Sequence, residues 1–123
     1  MEIKNIDHVP AFTTKDGSEI RELLAHRNAS ITNQSLAEAR LPVGQSTTPH
    51  FHHRTEEIYY IISGIGVMRI GEESSPVGPG DAIAILPGLV HQITNTGEQT
   101  LVFLCCCAPP YEHDDTTLVD ETL

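Results

Sequence analysis

The run from Gly44 to Gly64 restricts the possible folds of this chain more than any other feature. Five residues lead from Gly44 to His50, one separates His50 from His52, four lead on to Glu57 and six more to Gly64. Successive side chains of a β-strand point to opposite faces, so His50 and His52 reach the same side while Phe51 between them turns to the other. Two imidazoles therefore converge on one cavity, with a carboxylate close behind. A second cluster, Gly80, Pro87, Gly88, His91 and Asn95, follows further along.

Strand signals surround both clusters. Ser30 to Leu41 alternates in part, with Ile31, Ser35, Ala37 and Ala39 on one side and Leu36 on the other; Glu57 to Ile62 is rich in β-branched and aromatic residues. Gly64 to Ile70, Asp81 to Leu86, Leu89 to Asn95 and Thr100 to Cys107 read as further strands. Gly71 to Gly80 reads as a turn-rich connection with a short strand at most. Many short strands at such intervals suit an all-β closed or double-sheet architecture. Ile20, Leu23 and Leu24 have helical spacing, but the run is short and Gly17 precedes it. From Tyr111 onward the acidic chain reads as a solvated tail with partial order.

With these motifs the chain resembles the cupin family. The first signature motif fits at Gly44, His50, His52, Glu57 and Gly64, and the second keeps the intervals from Gly80 to His91 and from His91 to Asn95. It departs only where Leu86 occupies the usual proline position and Pro87 follows, a change that touches the turn and leaves His91 intact. The resemblance covers residues 30 to 107 and implies a double-stranded β-helix, a jelly-roll barrel. It further implies a single cupin domain over 1–123, with an N-terminal arm (1–29) packed on a partner subunit, hence a homodimer, and an acidic C-terminal tail (111–123).

The resemblance also implies a metal site of His50, His52, Glu57 and His91. Glu56 and Glu57 cannot both face inward; counting back from Gly64 selects Glu57, whereas counting forward from His52 is compatible with either. Three neutral imidazoles and a carboxylate would hold one divalent transition metal ion per chain, Fe, Mn, Ni, Co or Zn, with positions left for a small-molecule substrate. Such a site serves oxygenase chemistry first, with lyase, decarboxylase or isomerase chemistry close behind; the alternative is a non-catalytic sensor that holds a metal or small ligand.

By strand parity Tyr59 faces the same cavity as Glu57, where its phenol could orient substrate or exchange a proton, or simply line an apolar wall. Ile61 shares that parity and Ile93 shares that of His91, so both are expected to line the substrate pocket. A phosphorylated or dicarboxylate substrate would need Arg40, Arg54 or Arg69 in the pocket, since such anions are held by paired charge and fork-shaped donors. His53 should point away, and His8, His26 and His113 fit no ligand spacing. Cys105, Cys106 and Cys107 are consecutive, which suits neither a disulfide framework nor a zinc site; they read as a core strand ending before Pro109 and Pro110, with one thiol facing the cavity as the alternative.

Charge bounds the partners. Seven Lys plus Arg against 17 Asp plus Glu give a net of −10, which opposes binding to nucleic acid. Apolar runs are strand-sized and Met1 to Asp7 lacks the pattern of a secretory signal, so no membrane partner and a cytoplasmic location are expected.

Overall fold

The computed structural model describes residues 1–120, which build two antiparallel sheets from eleven strands. Their bounds are β1 Phe12–Thr13, β2 Glu19–Leu24, β3 Ser35–Leu41, β4 His50–His52, β5 Glu56–Ser63, β6 Gly66–Ile70, β7 Glu73–Val77, β8 Ala82–Ile85, β9 His91–Asn95, β10 Leu101–Ala108 and β11 Thr116–Leu118. One sheet runs β1-β2-β3-β10-β5-β8 and the other β11-β4-β9-β6-β7. No helix among the described residues is long and apolar enough to cross a membrane.

Strict alternation explains why the two sheets face each other. Along β5, Glu57, Tyr59 and Ile61 are buried while Ile58, Tyr60 and Ile62 are exposed; along β10, Leu101, Phe103, Cys105 and Cys107 turn inward. Register then places Phe103 beside Ala39 and Ile61, Cys105 beside Ala37 and Tyr59, and Cys107 beside Ser35 and Glu57. The large Phe103 of β10 thus meets the small Ala39 of β3, and it packs with Leu41, Ile61, Met68, Ile85 and Ile93 in the core between the sheets. The β5 to β6 turn depends on Gly64, whose φ is 85° and whose missing Cβ would lie 2.9 Å from the Leu101 backbone.

Two segments depart from the sequence expectations. Ile20, Leu23 and Leu24 belong to a strand, β2, paired with β3; a register shift between Glu22 and Leu24 breaks the two-residue alternation and produces the helix-like spacing. The part of the N-terminal arm in β1 and β2 therefore extends the chain's own sheet. Within Gly71 to Gly80, β7 runs five residues against β6 and carries Pro76, tolerated because β7 is an edge strand.

The expected solvated tail is likewise structured as far as it is described. Asp115 and Thr116 are buried, and β11 pairs with β4, setting Thr116 opposite His52 and Leu118 opposite His50. The Asp115 carboxylate anchors it, accepting from the backbone N–H groups of Arg54 (3.1 Å) and Thr55 (3.1 Å), bonds that outweigh the upward effect of burial and hold its pKa below the usual carboxylate range. Residues 121–123 of that expected tail lie outside the described residues.

Candidate metal centre and its cavity

The three histidines of the two motifs meet on one sheet. β4 presents His50 and His52 inward with Phe51 on the other face, and β9 pairs with it so that His91 lies directly opposite His50. All three are buried, and each offers a nitrogen within 4.8 Å of the others, a group able to hold a metal ion. Ring centroids are 4.2 Å apart for His50 and His91 and 5.2 Å for His50 and His52. The loop with Leu86 at the usual proline position reaches the same end: Gly88 N–H donates to the His52 carbonyl at 2.7 Å.

Hydrogen bonds settle which ring nitrogen of each histidine faces the cavity. His50 Nδ1 donates to the Thr48 carbonyl (2.8 Å) and His91 Nδ1 to the Leu89 carbonyl (3.0 Å). His52 Nδ1 lies 2.9 Å from Thr116 Oγ1, whose only proton goes to the Glu112 carbonyl (3.0 Å), so here too the ring nitrogen is the donor. In the neutral rings every Nε2 is then left as a lone pair pointing inward, the arrangement metal-binding imidazoles adopt. His91 Nε2 is buried without a hydrogen-bond partner, which is costly unless something binds there.

Glu57 comes from the opposite sheet. Its Oε1 lies 3.2 Å from His52 Nε2 and 3.5 Å from His91 Nε2, while Oε2 accepts from the Cys107 thiol at 3.3 Å. Burial pushes this carboxyl up, but once the His52 and His91 rings are protonated, as at acid pH, their Nε2–H groups and positive charge outweigh it and hold the pKa down at about 2. His50 is shifted below its ordinary value by burial and by the charge of His91. Glu56 is exposed, which answers the choice between neighbouring carboxylates in favour of Glu57 as the inward one.

The structure adds a carboxylate that no spacing rule predicts. Asp16, in the loop between β1 and β2, places Oδ2 3.5 Å from His50 Nε2, and its backbone carbonyl accepts from Thr48 N at 2.7 Å. The only sequence sign was a Thr-Lys-Asp-Gly-Ser turn, which is common in loops without function. Thr116 was missed for the same reason, being set by a strand that composition disguised as a tail.

Beside the histidines lies a cavity with about 40 Å³ open to the centres of water molecules, room for a few waters or a ligand of a few heavy atoms. Tyr59 lines it, with Phe103, Cys105, Cys107, Ser35 and Tyr111 among its neighbours. The Tyr59 ring centroid is 6.0 Å from that of His91 and 4.7 Å from that of Phe103; burial and then the Glu57 charge raise its pKa well above the ordinary phenol value, so it stays protonated. Ile61 and Ile93 do not line the cavity. Both point inward as parity requires but sit deeper between the sheets, completely enclosed in the apolar core.

None of the three mid-chain arginines lines the cavity. Arg40 pairs with Glu38 at 2.5 Å, and Arg54 is exposed beside Asp115. Arg69 is likewise absent from the lining. Cys105 and Cys107 both face the cavity, where burial and Glu57 push their thiols up, while Cys106 is exposed on the far side of the sheet. Of the excluded histidines, His53 is exposed and meets Thr117 Oγ1 at 2.8 Å, and His26 pairs with Glu112.

Comparison with known proteins agrees with this geometry. The chain belongs to the cupin family: the family described as Cupin domain matches residues 37–107. It is 46% identical over 114 residues to protein MJ1618 of Methanocaldococcus jannaschii, covering 93% of this chain and 91% of that one. It is 35% identical over 86 residues to an oxalate-binding protein of Thermotoga maritima, covering 70% of this chain and 71% of that one. Among solved structures, the polyketide cyclase RemF from Streptomyces resistomycificus superposes with a TM-score of 0.79 at 25% identity, covering 99% of this chain and 87% of that one.

Proposed function

We propose that this protein is a metal-dependent cupin enzyme acting on a small organic molecule, with one divalent transition metal ion held by His50, His52, His91 and Glu57. The observation that carries the reading is the commitment of all three Nδ1 hydrogens to protein oxygens, which leaves three buried Nε2 lone pairs within 4.8 Å of one another, with the Glu57 carboxylate beside two of them at 3.2 and 3.5 Å. A bound ion of this type polarises a chelated substrate as a Lewis acid and, if it is Fe, serves oxygen chemistry. Oxygenase-type turnover is the first assignment. Lyase, decarboxylase or isomerase chemistry is the second, for which Tyr59, whose phenol lines the cavity, is the candidate for proton exchange with the substrate.

The remaining chain does the holding and excluding. Thr48, Leu89 and Thr116 orient the rings, Glu57 supplies negative charge, and Tyr59 and Phe103 wall the space against water. Elemental analysis of natively purified protein beside a His50→Ala control tests the reading: near-stoichiometric Fe, Mn, Ni, Co or Zn that is lost in the control supports it. Protein that is metal-free and refuses added metal refutes it, leaving non-catalytic binding of a small ligand.

The same proposal includes a homodimer formed through the outer face of the larger sheet, where Ile58, Tyr60 and Ile62 are each 44–46% exposed in one row and Cys106 and Ala84 lie beside them. A monomeric mass for wild type in light scattering, or a dimer unaffected by Tyr60→Glu, would reject that face.

A further inference from the structure

Asp16 is held in a way that a surface loop residue does not require. Its Oδ1 accepts three hydrogen bonds, from Thr14 Oγ1 (2.7 Å), Ser18 Oγ (2.7 Å) and Ser18 N (2.9 Å), while its own backbone carbonyl is tied to Thr48 N. The carboxylate is thereby locked, and its second oxygen, Oδ2, faces the cavity 3.5 Å from His50 Nε2. His50 donates from Nδ1 to the Thr48 carbonyl, so in the neutral ring Nε2 is also an acceptor. Two acceptors set against each other at this distance call for a cation or a proton donor between or beside them.

Charge bookkeeping around the cavity sharpens this. On the proposed metal reading, a divalent ion with three neutral imidazoles and Glu57 carries one net positive charge, and Asp16 cancels it. Among the described residues no Lys or Arg lines the cavity to offset an incoming anion. Two cations line a neighbouring cleft that shares Phe12, Thr14, Glu22 and Tyr111 with the cavity, and both are already engaged: Lys15 Nζ donates to the Thr116 carbonyl at 2.8 Å, and Arg27 binds Glu22, Glu112 and the Tyr111 carbonyl. A dianion on the metal would therefore meet a fixed, uncompensated carboxylate, whereas a hydroxyl or ammonium group would meet a charged acceptor, among the stronger hydrogen bonds available.

We propose that Asp16 is the specificity determinant of this site: it accepts a hydrogen bond from the hydroxyl or amino group of a neutral or cationic substrate and turns small dianions away. The inference rests on the metal reading above and extends it to substrate class. It also separates this chain from its Thermotoga relative, whose ligand is oxalate.

The test uses protein loaded with Co(II), whose visible spectrum reports both metal uptake and changes in coordination, with oxalate and ethanolamine as probes. Wild type should take up one Co(II), bind oxalate only weakly, and bind ethanolamine more tightly than Asp16→Asn does. In Asp16→Asn, which keeps an acceptor oxygen for the Ser18 N–H, oxalate affinity should rise by about tenfold or more and ethanolamine affinity fall by a similar factor. Asp16→Ser serves as a second uncharged replacement. Equal oxalate binding by loaded wild type and variant refutes the inference alone. Micromolar oxalate binding by wild type refutes it without any variant. Wild type that takes up no Co(II) refutes the metal reading and this inference with it.

Discussion

Replacing Thr116 with Val probes whether the C-terminal strand belongs to the site. The substitution keeps the β-branched shape and removes one hydroxyl, which accepts the His52 Nδ1 hydrogen at 2.9 Å and donates to the Glu112 carbonyl at 3.0 Å. His52 and Thr116 are each 3% exposed, so the orphaned ring N–H cannot turn to bulk water, and its loss of partner costs about 1–3 kcal/mol of stability. The His52 tautomer is also released, and loss of such an outer partner typically lowers metal affinity about 10- to 100-fold, or about 1.4–2.7 kcal/mol. Competitive titration of Co(II) against a chelator, beside urea denaturation of the metal-free protein, measures both effects. Thr116→Ser restores the hydroxyl and should recover most of the metal affinity. A Thr116→Val protein that folds and binds Co(II) with wild-type affinity would refute the argument, reducing β11 to a sheet edge.

Other expectations follow from the same geometry. Tyr59→Phe should lower kcat far more than it changes KM if the phenol donates a proton, and an unchanged rate returns Tyr59 to the cavity wall. In the metal-free protein, with the neighbouring imidazoles protonated as they are at acid pH, Glu57 titrates at about 2 against an ordinary 4.5, so the stabilisation it supplies near pH 4.5 is lost as pH falls toward 2, about 3 kcal/mol in all. His50, held below its ordinary 6.5, acts in the same direction, contributing above that pH and losing its contribution below it. Urea midpoints measured from pH 7 to 2 should fall accordingly, and a Glu57→Gln protein with the same loss between pH 4.5 and 2 would contradict the assignment. A thiol reagent should modify Cys106 in native protein and reach Cys105 and Cys107 only after denaturation, since those two are buried with raised pKa values. Labelling of Cys106 that slows as protein concentration rises would place it in the dimer face; three fast native equivalents would contradict the burial.

The features legible in the chain were those carried by local periodicity. Alternation through His50, Phe51 and His52 and through Glu57, Ile58 and Tyr59 predicted which side chains turn inward, and the structure places them so. Parity gives a face without giving depth, which is why Ile61 and Ile93 were expected at the cavity and lie in the core instead. Long-range pairing was not legible. A register shift made β2 look helical, and an acidic composition hid β11, whose place depends on Asp115 binding backbone N–H groups of Arg54 and Thr55 some sixty positions earlier in the chain.

The division between legible and hidden residues has a chemical consequence. The three histidines and Glu57 lie in the motifs that carry the resemblance to the cupin family, and a fold of that breadth hosts many chemistries, so they do not by themselves select a substrate. The groups next to them are supplied by the chain's two ends: Asp16 from the β1 to β2 loop stands against His50, and Thr116 from β11 holds His52. Both ends add strands to the sheets that bear the motifs, β2 beside β3 and β11 beside β4. On the proposed reading the barrel can therefore keep its histidine cluster for the metal while the terminal strands change the charge and orientation around it. On this reading, exchange of the β1 to β2 loop should alter which ligands bind while leaving metal uptake in place, and exchange of β11 should alter metal affinity itself.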